Sequence, residues 1–186
     1  MRPTQLWPLL ARWRGYTYGE LDTDTRRVNC CGLTASVLRD HYGVEVVTPA
    51  VWADLCLSRP VHRGRPWAPV ESIAEATGGD PSLPLHGPSR PAPGAVHLCQ
   101  GWRGLRMDGI GAQSHGHAWF WISLGGWDGV CIESSGRGPR VWDGYGRRDL
   151  DEVVASDGRL VAPLAPMDWS RRAGKWTDGV AWAVLP

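Results

Sequence analysis

Val28-Asn29-Cys30-Cys31-Gly32-Leu33-Thr34-Ala35-Ser36-Val37-Leu38-Arg39-Asp40-His41-Tyr42-Gly43 is the stretch on which the fold turns. Leu33, Val37, Leu38 and Tyr42 recur on one helical face, so the segment predicts a helix over about 30–42. Asn29 has the side chain of an N-cap, and Gly43 tolerates the left-handed conformation that ends helices. Cys30 therefore falls in the first turn, among unpaired N–H groups at the positive end of the helix dipole, where a thiol ionises more easily. The thiolate is the nucleophilic form, which makes this a place for a reactive cysteine; a small buried core residue is the plainer role for the same side chain. Cys31, turned by about 100°, is expected to point into packing.

A cysteine nucleophile needs a base from elsewhere in the chain. Of the six histidines, His117 ends a glycine-rich loop and opens His117-Ala118-Trp119-Phe120-Trp121-Ile122, a run apolar on both faces that reads as a central strand. Such a strand holds the imidazole rigidly at its mouth. His115 lies in the loop and is held less firmly, while His41 lies about 16 Å along the helix from Cys30. Glu133, within the apolar Val130-Cys131-Ile132-Glu133-Ser134-Ser135, is an acid that burial makes costly unless it is paired, and it is the candidate orienter of the histidine. Pairing Leu124 with Val130 would set Glu133 opposite Trp121, so reaching His117 requires a bulge or an offset register.

Around these segments the chain reads as one α+β domain spanning all 186 residues. A short helix or turn is expected before residue 28, with further helices over 48–57 and 69–77. A proline-rich connector follows over 80–94, then strands at 95–100, 117–124, 130–134, 141–142, 159–162 and 180–185, with a capped helix start at 149–152. Twenty basic against 19 acidic residues leave a formal charge of +1, which excludes a nucleic-acid or other polyanion binder held by bulk charge. Nineteen of the 20 cations are Arg, and there are 12 Trp to one Phe, a bias that GC-rich coding accounts for. No run approaches the ~18 apolar residues of a membrane span. The first residues lack a signal-peptide pattern, so synthesis in the cytoplasm is expected, with any action at a cell wall or on a virion requiring other machinery for delivery. The five cysteines are odd in number and follow no metal-ligand spacing, so free thiols and no cofactor are expected.

Asn29-Cys30-Cys31-Gly32-Leu33 resembles the Asp-Cys-Ser-Gly-Phe/Leu motif of NlpC/P60 cysteine peptidases. Gly15-Tyr16-Thr17-Tyr18-Gly19 is similar to that family's Tyr-x-Trp-Gly-Gly segment, and Pro93-Gly94-Ala95-Val96 to its Pro-Gly-Asp-Leu/Val turn. His117 with its strand resembles the family's histidine strand, and Cys131-Ile132-Glu133-Ser134 falls where the family places its third polar residue. The pieces follow the family order over about residues 15–135, leaving 136–186 as an unassigned extension. Asn29, Cys31, Ala95 and Glu133 depart from the usual residues.

The resemblance implies a papain-like fold, with a Cys-bearing helix packed on a mostly antiparallel sheet. It also implies hydrolysis of amide bonds in peptidoglycan stem peptides by a Cys30–His117–Glu133 triad without metal, Tyr16 beside the nucleophile helping to hold the oxyanion. With the missing signal, it suggests a bacteriophage lysin, a tail-associated hydrolase or an exported effector. An acidic stem peptide would need a cation near the triad, for which Arg26, Arg27, Arg103 and Arg106 are the candidates; each is equally a solvated loop charge. Three other readings stay open: a zinc protein, a binding module using Trp67, Trp102 or Trp127, and an acyltransferase in which an amine replaces water at the thioester.

Overall fold

The computed structural model describes residues 1–43, 61–62, 65–66, 94–103, 115–125, 127–175 and 179–185. The helices expected at 48–57 and 69–77, and nearly all of the proline-rich connector, lie outside them. Helix α1 (Pro3–Ala11) starts on a proline, whose missing N–H is not needed in a first turn, and buries Leu6, Trp7, Leu10 and Ala11. Helix α2 (Cys30–Tyr42) has the ends its sequence dictates. Asn29 Oδ1 accepts the Gly32 N–H at 2.7 Å, and Gly43, at φ 68°, donates its N–H to Arg39 O at 2.7 Å.

Strands β1 (Val61–His62) and β2 (Arg65–Pro66) form a small ladder of their own. The main sheet comprises β3 (Val96–Arg103), β4 (His115–Gly125), β5 (Asp128–Ser135), β6 (Gly138–Asp143), β7 (Gly146–Asp149) and β9 (Gly179–Val184). Every pairing is antiparallel, in the order β7-β6-β5-β4-β3-β9, and the short β8 (Met167–Asp168) adds to the start of β5. Two short helices, α3 (Leu150–Val153) and α4 (Trp169–Ala173), complete the described elements. The architecture is thus α+β with an antiparallel sheet.

Side chains alternate across β4, so one strand feeds two cores. Ala118, Phe120 and Ile122 join Leu98, Ile132 and Val141 in the layer closed by α2, whose Leu33, Val37 and Leu38 are buried there. Trp119 and Trp121 join Cys99, Cys131, Trp142, Met167 and Trp169 in the other layer. Both faces are dry over residues 118–122, which is why that run is apolar at every position.

The β4–β5 hairpin does not have the simple register. Ile122 pairs with Val130 and Trp119 with Glu133, and the ladder slips between Ser123 and Gly125. The slip is one residue, and the resulting register stands two residues from the simple pairing, which carries Glu133 toward His117. Gly129 permits it, since a Cβ there would lie 2.4 Å from the Ile122 carbonyl oxygen.

Elsewhere some expectations give way. The strand expected at 159–162 is a single bridge between Val154 and Leu160; Leu160 and Val161 are exposed, so no packing rewards a longer ladder. The turn at 149–152 is helical over Leu150–Val153, but Asp149 caps nothing and bonds Arg140 at 3.1 Å instead. Strand β7, Gly-Arg-Arg-Asp, is an edge strand with no apolar alternation to announce it. Among the described residues no helix is long and apolar enough to cross a membrane.

Candidate active site

Cys30 is the first residue of α2, and α2 packs across β4 and β5. That docking brings its thiol to the mouth of β4, where it is hydrogen-bonded to His117 and to the backbone at Ala118. The side chain is 5% exposed. Cys31 points into packing as expected, buried in the core with Val28 and Leu33, and its Sγ also lies 3.7 Å from the buried Cys30 Sγ. The tight first turn brings the two sulfurs together despite their angular separation, Thr34 bonding the carbonyls of both residues.

His117 stacks on Trp119, with ring centroids 5.9 Å apart, and its Nε2 lies 3.0 Å from Glu133 Oε2. Glu133 is opposite Trp119, so His117 is its diagonal neighbour on the same sheet face. The carboxylate is 2% exposed and fully engaged. Arg172 Nη2 donates to Oε2 at 2.6 Å, and the Ser135 hydroxyl donates to Oε1 at 2.8 Å. Arg172 is itself buried, its guanidinium 4.1 Å over the Trp119 ring and its Nε 3.3 Å from Cys131 Sγ.

These contacts fix the charges. Burial works against an ionised Glu133, but the hydrogen bond from His117 and the Arg172 guanidinium outweigh it and hold the carboxyl well below the usual carboxylate range. An ionised carboxylate only accepts, so Nε2 carries a proton and Nδ1 is left for Cys30. The hydrogen bond from Cys31 favours the Cys30 thiolate most, burial opposes it, and the charge and hydrogen bond of His117 add to the first; the thiol is held well below the usual cysteine range. Burial also opposes the imidazolium, and the negative Cys30 and Glu133 on either side raise it nonetheless. The shifts all run in the direction that favours a thiolate–imidazolium pair beside a buried acid. Cys99 and Cys131 go the other way: burial raises both, Cys131 to about 12.

Tyr16, the tyrosine expected beside the nucleophile, is held by its ring. Its ring packs edge-on against Trp13 at 4.9 Å and lies under the Arg26 guanidinium. Tyr18, two residues on, feels the charge of the site: burial, then the negative Cys30, Cys31 and Glu133, raise its hydroxyl to about 12. Arg26 is committed to the Arg14 carbonyl at 2.8 Å, and Arg27 lies against Gly19. Arg106 and the side chains of Arg103 and His115 lie outside the described residues. Trp127 packs against the tryptophan layer.

Among the described residues, the cations at the site come from the segment after residue 135. Arg140, Arg147, Arg172 and Lys175 line a pocket of about 350 Å³ whose wall also includes His117 and Glu133. Sequence did carry one signal for them: a buried acid in an apolar strand demands a cation, though not which one. Among the described residues no group of three His, Cys, Asp or Glu side chains is disposed to hold a metal. No family model, curated protein or solved structure matches this chain.

Proposed function

We propose that the chain is a cysteine amidase of papain-like, NlpC/P60-type construction, acting on amide bonds in peptides such as peptidoglycan stem peptides. One observation carries this reading: a buried cysteine at a helix N-terminus is hydrogen-bonded to His117, whose other ring nitrogen is held at 3.0 Å by an ionised, buried Glu133. Packing alone would not need three polar groups in line, each satisfied by the next.

In the reaction the Cys30 thiolate attacks the amide carbonyl carbon and forms a tetrahedral adduct. Its oxyanion is met by N–H groups of the first turn of α2 and by the Tyr18 hydroxyl, whose raised pKa keeps it a donor across the working range. The His117 imidazolium, with its Nδ1 toward Cys30, gives its proton to the leaving amine, and the C–N bond breaks to leave a thioester. Neutral His117 then takes a proton from water as the water attacks the thioester, and the acid leaves with the thiolate restored. Glu133 stays ionised throughout; it holds the ring and favours the imidazolium.

Mass spectrometry of purified peptidoglycan fragments after incubation with the protein tests the proposal. New amine and acid termini, lost in Cys30→Ala and unaffected by EDTA, are the expected result. Intact fragments across several cross-link chemistries would count against it, as would cleavage that persists in Cys30→Ala.

A further inference from the structure

The pocket beside His117 holds more positive charge than its carboxylates neutralise. Arg172 is matched by Glu133 at 2.6 Å and Arg140 by Asp149 at 3.1 Å. Arg147 reaches only to 3.7 Å from Glu133 Oε1, an oxygen already bonded by Ser135. Lys175 has no carboxylate within ion-pair distance among the described residues. Both side chains rest instead on one indole: the Arg147 guanidinium is 4.5 Å and the Lys175 ammonium 4.2 Å from the Trp142 ring. Burial and the repulsion of Arg147 and Arg172 push the lysine pKa down. Two cations sharing one aromatic platform, beside a third that is buried, form a site whose electrostatics are completed by an anion.

We propose that this pocket is an anion subsite in which Arg147 and Lys175 receive a carboxylate of the ligand, on the Glu133 side of His117. The subsite rests on the amidase reading for its role, namely selecting substrates with a free carboxylate beyond the scissile amide; its existence as a binding site does not. Arg147 supplies the planar fork that matches a carboxylate, and Lys175 the mobile point charge beside it. The Trp142 ring positions both without neutralising either. The segment after residue 135 thereby acquires a function: it supplies the cations of the site.

NMR titration of the Cys30→Ala protein, read at the His117 ring proton, tests the subsite apart from turnover. The probes are glutarate, its uncharged analogue glutaramide, and inorganic phosphate. Glutarate is expected to shift the resonance saturably in the millimolar range while glutaramide does not. Arg147→Gln and Lys175→Gln are each expected to weaken glutarate by about tenfold, with Arg147→Lys, a milder change at an exposed position, falling between. No saturable shift with glutarate would overturn the proposal; so would phosphate binding markedly tighter than glutarate, since the site would then be one for phosphoryl groups. Saturable glutarate binding by a protein that cleaves no peptide would sink the amidase reading and leave the subsite standing. Cleavage of an acidic peptide and its amidated counterpart with equal kcat/KM, without glutarate binding, would do the reverse.

Discussion

Replacing Glu133 by Ala removes the one carboxylate shared by His117, Arg172 and Ser135. Arg172 is 1% exposed, so its guanidinium would be left without a counterion in a place water barely reaches. Removing one member of a buried ion pair typically costs about 3–5 kcal/mol. For a chain of this size that lowers Tm by roughly 10 °C. The dependence on pH has a definite sign. Glu133 is more acidic folded than unfolded, so its stabilisation is complete above its unfolded value of 4.5 and fades as pH falls through the folded value. Each unit of that difference is about 1.4 kcal/mol. Urea unfolding of wild type and Glu133→Ala between neutral and acid pH should therefore show a gap that closes as pH falls. The double variant Glu133→Leu/Arg172→Met, which leaves no orphaned charge, should recover most of the loss. A single substitution costing under about 1 kcal/mol, or a double variant no more stable than the sum of the singles, would refute the buried-pair reasoning.

Brief iodoacetamide treatment near neutral pH, followed by peptide mapping, should modify Cys30 well ahead of Cys99 and Cys131, and His117→Ala should slow that labelling at pH 6 by about tenfold or more as the thiolate loses its imidazolium. Preferential labelling of Cys31 would move the nucleophile to the neighbouring residue. Tyr18→Phe should lower kcat by roughly 10–100-fold with little change in KM, as befits a group that meets the oxyanion, whereas Tyr16→Phe should leave turnover near wild type. The opposite ranking would return Tyr16 to the oxyanion. Gly129→Ala should cost about 1–3 kcal/mol in urea unfolding, because the new Cβ meets the Ile122 carbonyl oxygen at 2.4 Å; a neutral substitution would mean the hairpin shifts freely.

What could be read in the sequence was local. Helix α2 was legible because Asn29, the apolar spacing and Gly43 all act within a few residues of one another. Strands β4 and β5 were legible because burial on both faces leaves runs without polar interruption. Glu133 was conspicuous as an acid in such a run. The reach between Glu133 and His117 was not legible, because it depends on a bulge written in Gly129 and Gly125 rather than in the strands. Arg172 was hidden for a different reason: it lies 39 residues beyond its partner, on a five-residue helix, among 19 arginines of similar local context. Choosing between Tyr16 and Tyr18 needed the sidedness of an irregular segment, which no periodicity supplies.

The slip in the β4–β5 hairpin has a consequence for how such a protein can change. Which β5 side chain stands diagonal to His117 is set by the length of the connection at 125–128. Removing one residue there would invert the faces of β5, turning Glu133 toward α2 and an isoleucine or serine toward the histidine. Removing two would keep the faces but carry the acid away along the strand. Insertions and deletions in that surface turn are therefore not neutral drift. They act on the chemistry at a distance, as a gear tooth gained or lost alters every meshing downstream, and a lineage could exchange its third polar residue by changing a loop length with no substitution in either strand.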